Sequence, residues 1–302
     1  MCGIVGVLVK RQQLRPRLGA MMLPMFHCMA DRGADSGGMA VFGAPLAEPM
    51  RRYNLFVPDR AYDWQAFVDR FERAFPRPGG AGSAVVGCTN HGILTTATPP
   101  GEVRAWLAEC DPSPHLLSVG RFIDVYKDMG HPDEIAERYG FGRLSGSHCV
   151  GHTRMATESA VTPVHAHPFT AGEDFCLVHN GSLSNPYMIR RRLEKQGIRF
   201  ESDNDTEAAC RYIEWRLREG DTIEQALERA FRELDGFYTL LMATPTTMTL
   251  VRDAFACKPA IVAETDAYVA VSSEFRSLAH LPGIEDAKLF EPAPEEIYTW
   301  QV

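Results

Sequence analysis

The spacing of apolar residues predicts how the chain begins. Residues 2–9 form a short apolar run that is typical of a strand. Apolar side chains then recur at every third or fourth position between residues 18 and 29, which predicts a helix with one buried face. A turn-rich segment at residues 31–38 follows, and another strand is predicted at residues 39–42.

The middle of the chain has a different pattern. An amphipathic helix between Trp64 and Phe75 precedes a linker rich in Pro, Gly and Ser at residues 76–83. We interpret the part from about residue 45 to about residue 145 as an α/β insertion. Its remaining predicted elements are a strand at residues 84–88, a helix around Trp106 and a strand at residues 116–119.

The rest of the chain, about residues 1–43 and 147–302, is predicted to form the core of a single domain that spans residues 1–302. Strands at both ends of this core with helices between them predict an α+β fold in which two sheets pack face to face. The later predicted elements are helices at residues 186–196, 205–217 and 223–234, and strands at residues 149–153, 175–179, 238–243, 248–252, 260–263 and 268–271.

Charge and composition limit the possible partners. The formal net charge of −8 argues against nucleic acid or an anionic membrane. The one basic cluster, at residues 190–192, is interpreted as a solvated helix face. No apolar run approaches the roughly 20 residues that span a bilayer. We therefore expect a cytoplasmic protein, and the 8 cysteines, none in a CxxC pair, are expected to be reduced.

Cys2 is the first candidate for catalysis. Removal of Met1 would leave a residue with both a thiol and a free α-amine. The reference pKa values are about 8.5 for the thiol and about 7.7–8.0 for the amine, so the amine can act as the base for its own side chain. Taken alone, a cysteine at this position of a buried strand is usually a packing residue, so the catalytic interpretation needs corroboration.

Six segments share their order and spacing with a known family. On these segments the sequence resembles the class II glutamine amidotransferases, over about residues 1–43 and 147–275. The resemblance implies a four-layer αββα N-terminal-nucleophile hydrolase fold, with two antiparallel sheets between helices, that hydrolyses glutamine through a thioester. The segments are MCGIVG at 1–6, DRGADSGG at 31–38, GHTRMAT at 151–157, AHPF at 166–169, VHNGSLSN at 178–185 and SDNDTE at 202–207.

The resemblance also implies roles for individual residues. Asn180, through its side-chain amide, and Gly181, through its backbone N–H, match the groups that stabilise the oxyanion formed by attack of Cys2. Arg154 matches the guanidinium that binds the substrate carboxylate, and Asp205 matches the carboxylate that binds the substrate ammonium group. The alternatives are a surface arginine for Arg154 and a helix N-cap for Asp205.

Four further positions follow from the same motifs. Thr157 and His167 match residues that contact the substrate or shape its pocket, although His167 could equally be a structural histidine. Arg32 and Gly33 match the loop that lies against the nucleophile. Met155 departs from the aromatic residue found here in several members of the family, which bears on how the pocket closes.

A metal site is the weaker interpretation of the histidines. His165 and His167 share one face of a predicted strand, and His148, Cys149 and His152 lie close together in sequence. No acidic or thiol residue has the spacing of a known site. The family uses no metal, and we expect none here.

The use of the ammonia points to a partner. Residues 101–109 and 125–141 resemble the stand-alone amidotransferase component of glutamate-synthase-like complexes, of the N-methylglutamate synthase type. The chain ends at Val302, soon after the predicted core, so we expect separate synthase subunits. The resemblance implies FMN and an iron–sulfur cluster in such a partner, and no cofactor in this chain.

Two other functions remain open from the sequence. One is a free-standing N-terminal-nucleophile amidohydrolase that acts on another amide, against which Arg154 and Asp205 argue. The other is a non-catalytic scaffold that senses glutamine, against which the intact Cys2, Asn180 and Gly181 argue.

Overall fold

A computed structural model describes residues 2–76, 83–155 and 161–302. Most of the predicted linker at 76–83, and Thr157, lie outside these ranges. No helix within them is long and apolar enough to cross a membrane. The helices of the described part are α1 (Leu18–Met29), α2 (Trp64–Ala74), α3 (Pro100–Cys110), α4 (Pro132–Arg138), α5 (Pro186–Glu194), α6 (Asp205–Arg218) and α7 (Ile223–Glu233).

The strands form three sheets, and all their pairings are antiparallel. Their bounds are β1 (Gly3–Val9), β2 (Ser36–Phe42), β3 (Arg51–Phe56), β4 (Ala84–Cys88), β5 (His91–Thr96), β6 (His115–Gly120), β7 (Ile123–Met129), β8 (His148–Arg154), β9 (Phe169–Thr170), β10 (Cys176–Leu183), β11 (Gly236–Ala243), β12 (Thr247–Arg252), β13 (Ile261–Glu264), β14 (Tyr268–Ser272), β15 (Lys288–Phe290) and β16 (Ile297–Gln301).

Two of these sheets pack against each other. One has the strand order β15-β13-β14-β1-β8-β2-β7 and the other the order β16-β12-β11-β10-β9. In the central strand β1, Ile4 and Leu8 belong to the apolar core between the two sheets. The alternate residues Val5, Val7 and Val9 belong to the core beneath α1. This period of two is what a strand buried on both faces requires.

Helices cover the outer faces of both sheets. The core on the outside of the seven-stranded sheet includes Phe26 of α1 and Ile135 of α4. The core on the outside of the five-stranded sheet includes Ile189, Tyr212 and Leu227, which come from α5, α6 and α7. The predicted α+β fold, with two antiparallel sheets between helical layers, is confirmed.

The third sheet, with strand order β4-β5-β3-β6, packs against α2 and α3 around its own apolar core. The segment predicted as the insertion ran to about residue 145, but its last part belongs elsewhere. Strand β7 pairs with β2 at the edge of the seven-stranded sheet, from Ser36↔Met129 to Phe42↔Ile123. Residues 123–138 therefore complete the core sheet and its helical cover, because the edge of β2 would otherwise stay unpaired.

Phe26 offers a test of the packing that holds β1 in place. It is fully buried and makes an edge-to-face contact with Phe141 at a centroid distance of 5.3 Å. Phe26→Ala should lower the free energy of unfolding by about 3–5 kcal/mol, because the cavity is closed on all sides. Phe255→Ala is the matched control, since Phe255 is 79% exposed, and should change stability by no more than about 0.5 kcal/mol. Urea unfolding of both variants measures the difference, and equal losses would contradict the packing described.

Candidate active site

An open cleft of about 810 Å³ lies where the start of β1 meets β10 and the first turn of α6. It brings together predicted residues that are far apart in the sequence. Those that line it are Cys2, Arg32, Asn180, Gly181 and Asp205, together with Met155, Ser182, Leu183, Ser184, Pro186, Tyr187, Asp203, Asn204, Phe237 and Lys258.

The main chain of Cys2 is held by two side chains. Arg32 donates from Nε to the Cys2 carbonyl oxygen at 2.9 Å, and Asn180 donates from Nδ2 to the same oxygen at 3.2 Å. The Cys2 Sγ lies 3.6 Å from the Met155 carbonyl oxygen. Cys2 is partly exposed, so its thiol is fixed in direction yet open to the cleft.

The loop with Arg32 and Gly33 supports the nucleophile, as the resemblance implies. The buried Arg32 guanidinium also donates from Nη1 to Glu274 Oε1 at 2.8 Å, which keeps its charge paired. At Gly33 a Cβ atom would lie 2.5 Å from the carbonyl carbon of Arg154. Only glycine allows the loop to approach strand β8 this closely.

The orientation of the Asn180 amide is set by a buried histidine. His152 Nε2 lies 3.0 Å from Asn180 Oδ1 and 3.1 Å from the His179 carbonyl oxygen. Both partners are acceptors, so Nε2 carries the proton. Burial lowers the pKa of His152 to about 3, which keeps the ring neutral. The amide nitrogen of Asn180 is thereby turned toward Cys2 and toward Ser273 Oγ, which lies at 3.2 Å.

Gly181 has a backbone conformation that other residues rarely adopt. Its φ is +142°, and a Cβ atom here would lie 2.0 Å from the Phe237 carbonyl oxygen on the neighbouring strand. Both the angle and the contact require glycine. The position after Asn180 is therefore shaped by the chain itself before any substrate binds.

Asp205 begins α6 but does not cap it. The N-cap is Asn204, whose side chain accepts from the Thr206 backbone N–H at 2.8 Å. Asp205 instead accepts from the Leu183 backbone N–H at 2.8 Å through Oδ2. The capping alternative is therefore wrong. The carboxylate lines the cleft at the N-terminal end of α6.

A layer of buried histidines lies behind these residues. The His167 ring stacks on the His152 ring at 4.0 Å, and its Nε2 lies 3.0 Å from Thr206 Oγ1. The same hydroxyl lies 3.0 Å from His179 Nδ1. Burial lowers the pKa of His167 and of His179. His167 is buried and is not among the residues that line the cleft, so its position fits the interpretation of a structural histidine.

Arg154 is at the end of β8 and is only 5% exposed, so the alternative of a surface arginine is wrong. Its charge contributes to the lowered pKa of both His152 and His167, while Asp205 acts on the pKa of His179. Arg154 and Asp205 thus flank one histidine layer. Arg154 is not one of the described residues that line the cleft.

Some residues of the site had no signal in the sequence. Ser273 binds the Asn180 amide and also accepts from the Ile4 backbone N–H at 2.9 Å. Lys258 lines the cleft with its Nζ 5.0 Å from the centre of the Phe237 ring. Both lie outside the six motifs. His152 and His179 lie within two of the motifs, close in sequence to Arg154 and Asn180, and this closeness could have indicated both histidines.

The described residues contain no group of three His, Cys, Asp or Glu side chains placed to hold a metal ion. His165, which the sequence paired with His167, lies instead 2.8 Å from Asp203 Oδ1 through Nε2. His148 Nε2 lies 2.8 Å from the Thr244 carbonyl oxygen. These histidines therefore use their ring nitrogens in bonds within the protein.

Comparison with known proteins agrees with this geometry. The glutamine amidotransferase domain family matches residues 152–280. The chain is 42% identical over 300 residues to the glutamine amidotransferase-like protein GlxB of Rhizobium meliloti (strain 1021), which covers 99% of this chain and 98% of that protein. The chain belongs to the class II glutamine amidotransferase family.

Two more distant proteins resemble this amidotransferase, one in part of its sequence and the other in its fold. A glutamine–fructose-6-phosphate aminotransferase of Thermococcus kodakarensis is 34% identical over 138 residues, which are 44% of this chain and 23% of that one. The structure of the glutamine phosphoribosylpyrophosphate amidotransferase of B. subtilis superposes with a TM-score of 0.61 at 16% identity, covering 99% of this chain and 49% of that one. The predicted family, fold and enzyme class are confirmed.

The buried histidines of the amidotransferase should make its stability depend on pH. Burial lowers the pKa of His91 and His152 to about 3 and of His148 to about 4, and it lowers the pKa of His167 and His179. The unfolded chain, with histidine pKa values near 6.5, therefore binds more protons than the folded chain below about pH 6.5. Stability is fully present above that pH and falls as pH drops toward 5.

Each such histidine contributes up to about 1.4 kcal/mol per pH unit in this range. Urea unfolding between pH 7.5 and 5 should show a steep loss of stability, with an uptake on unfolding of about one proton for each buried histidine. His148→Gln should reduce this uptake by about one proton, because Gln does not titrate in this pH range. The fold should be kept, because the Gln amide can still donate to the Thr244 carbonyl oxygen. A free energy of unfolding that stays constant from pH 7 to pH 5 would contradict the neutral histidine layer.

Proposed function

We propose that this amidotransferase hydrolyses L-glutamine to glutamate and ammonia with Cys2 as the nucleophile. The observation that carries the proposal is the convergence on Cys2 of two side chains from distant segments. Arg32 and Asn180 both bind its carbonyl oxygen, at the wall of a cleft that is large enough for an amino acid. Such a fixed and accessible thiol has no structural need to be there.

In the proposed reaction, Met1 is first removed, so that Cys2 carries a free α-amine. The amine takes the thiol proton, and Sγ attacks the side-chain carbonyl carbon of glutamine to form a C–S bond. The electron pair of the C=O bond moves to oxygen, which becomes an oxyanion. The amine then passes this proton to the amide nitrogen, and the C–N bond breaks. Ammonia departs, and a γ-glutamyl thioester remains on Cys2.

Water completes the cycle. The amine takes a proton from a water molecule while the water oxygen attacks the thioester carbon. A second oxyanion then forms at the same position. The C–S bond then breaks, the proton returns to sulfur, and glutamate leaves. The net change is glutamine and water to glutamate and ammonia.

Asn180 and Gly181 are the proposed donors to the oxyanion. The Asn180 amide nitrogen is within 3.2 Å of both Cys2 O and Ser273 Oγ. An oxyanion next to Cys2 must therefore replace or share one of these two bonds. Because charged acceptors form the stronger hydrogen bonds, the exchange favours the oxyanion over a neutral substrate oxygen.

Two opposite charges are proposed to select glutamine. Asp205 supplies the carboxylate for the substrate ammonium group, and Arg154 is proposed to supply the guanidinium fork for the substrate carboxylate. Burial of Arg154 supports this role, since a guanidinium withdrawn from water interacts more strongly with a carboxylate. Thr157 keeps its proposed substrate role from the motif, and His167 is proposed to act through Thr206, the neighbour of Asp205.

A separate protein is proposed to consume the ammonia, as in glutamate-synthase-like complexes of the N-methylglutamate synthase type. Ammonia released into water near neutral pH is protonated and loses its nucleophilic electron pair. The cleft opens to the surface of this chain, so a protein that covers it would keep ammonia unprotonated. FMN and an iron–sulfur cluster are proposed to belong to that partner and not to this chain.

Cys2→Ala tests the nucleophile. Glutamine hydrolysis should fall to background while the unfolding midpoint stays at the wild-type value, because Cys2 is partly exposed and fills no part of the core. Cys110→Ala is the matched control, since Cys110 is also free and is exposed, and should keep full activity. Ammonia release measures the rate.

Intact-mass spectra before and after a diazoketone analogue of glutamine add a second readout. The expected result is loss of the Met1 mass and a single adduct that maps to Cys2. Wild-type turnover in the Cys2→Ala variant would sink the mechanism. A processed wild-type chain that neither hydrolyses glutamine nor takes the label would favour the glutamine-sensing scaffold instead.

Arg154→Lys tests substrate recognition. Lysine keeps the charge but cannot form two parallel bonds to a carboxylate, so KM for glutamine should rise by about 10- to 100-fold with a smaller change in kcat. The same variant should lose little activity on glutamine analogues without the α-carboxylate, such as the amide derivative. Equal losses on both substrates would mean that Arg154 does not bind the carboxylate.

A further inference from the structure

The outward face of α5 carries a patch of unusual composition beside the cleft. Tyr187 and Met188 are 74% and 61% exposed, so two large side chains lie open to solvent side by side on one turn of the helix. With three basic residues they line a shallow depression of about 410 Å³. The α5 patch is defined by Tyr187, Met188, Arg191, Arg192 and Lys195.

The charge of the α5 patch is opposite to that of the whole chain. None of its five residues is acidic, whereas the chain has a formal net charge of −8. Arg192 pairs with Glu233. Neither Arg191 nor Lys195 forms an ion pair with a carboxylate in the ranges that the structure describes. The patch therefore keeps two exposed cations whose charge is available to a partner.

The backbone under the α5 patch is held in place because the other side of α5 is fixed. Ile189 and Leu193 are buried in the core shared with α6 and α7. Arg190 also turns inward and donates to the carbonyl oxygens of Ser202, at 2.7 Å, and Asn204. The prediction of a solvated face at residues 190–192 is therefore wrong for Arg190. The helix backbone that carries the exposed residues is therefore fixed before binding, which lowers the entropy lost on binding.

The patch is continuous with the mouth of the cleft. Tyr187 lines both, and Pro186 at the start of α5 also lines the cleft. The cleft lining also includes Phe237, which is 38% exposed, and Lys258. A protein that covers the α5 patch will therefore reach the rim of the cleft.

We propose that the α5 patch docks an acidic and partly apolar surface of the protein that consumes the ammonia. This inference rests on the proposed function. Large apolar side chains supply the buried contacts, and the unpaired cations Arg191 and Lys195 attract carboxylates and set the orientation of the partner. Docking here places the ammonia acceptor against the exit of the cleft.

The test starts from the chain with a C-terminal tag, purified at low salt from the cells that produce it. A carbodiimide joins a lysine amine to a carboxylate in direct contact, with loss of water, so it reports an acidic partner without a spacer. The expected result is an amide link between Lys195 and an Asp or Glu of a synthase protein, found by mass spectrometry. The binding constant of the two purified proteins is then measured at several salt concentrations.

Two matched charge reversals follow. Arg191→Glu should weaken binding of the synthase protein at least tenfold at low salt and reduce the salt dependence. Arg73→Glu should leave both unchanged, because Arg73 is also exposed in the last turn of a helix but belongs to α2, which packs in the separate core of the third sheet. Met188→Ser should weaken binding without changing the salt dependence. All three variants should keep the glutamine hydrolysis rate of the isolated chain.

The docking surface would be overturned by the absence of a co-purifying synthase protein, by cross-links confined to other faces, or by equal effects of Arg191→Glu and Arg73→Glu. Links from Lys195 to a second copy of this chain, with a dimer that Arg191→Glu dissociates, would also overturn it in favour of self-association. Because hydrolysis by the isolated chain is measured in parallel, loss of the docking inference leaves the proposed function intact, and an inactive wild type removes both.

Discussion

The site depends on how the main chain at Cys2 is fixed where the two sheets meet. Arg32 and Asn180 bind the same carbonyl oxygen, and Ser273 binds both the Asn180 amide and the Ile4 backbone. These side chains come from a loop after α1, from strand β10 and from the turn after β14. Their positions are compatible only if β1, β10 and β14 keep their places in two packed sheets. The geometry of the site therefore requires the apolar packing around β1. This packing keeps the Arg32 and Asn180 side chains on the Cys2 carbonyl oxygen and the Ser273 hydroxyl on the Ile4 backbone N–H.

Burial has a second effect on the site, because it keeps its histidines neutral. A charged imidazole beside Arg154 would meet a like charge in a poorly solvated interior. The neutral His152 instead donates a hydrogen bond from Nε2 to Asn180 Oδ1, which leaves the amide N–H groups of Asn180 for the Cys2 carbonyl oxygen and Ser273 Oγ. Thr206 bridges His167 and His179 in the same layer. Histidines of this site thus act as fixed hydrogen-bonding groups, and the proposed proton transfers are assigned to the α-amine of Cys2.

The rim of the cleft has the opposite character to its base. At the base, charges such as that of Arg32 are paired and buried. At the rim, Tyr187 and Met188 remain exposed beside Arg191 and Lys195, which form no ion pair within the described ranges. Exposed apolar area of this kind costs solubility when nothing covers it. A partner at the rim would remove that cost and would also exclude water from the released ammonia, so the two properties of the rim have one explanation.

The sequence by itself determined the local elements and indicated Cys2 as the candidate nucleophile. Helix α1 and strand β4 have the predicted bounds, because periodicity is a property of neighbouring residues. The motifs placed Cys2, Asn180, Gly181 and Asp205, all of which line the cleft. Only the tertiary structure decided that β7 joins the core sheet, that Arg154 and Arg190 are buried, and that Lys258 and Ser273 belong to the site. These facts depend on contacts such as that between Ile4 and Ser273, 269 positions apart. No local pattern encodes a contact at that separation, because it exists only once the sheets have packed.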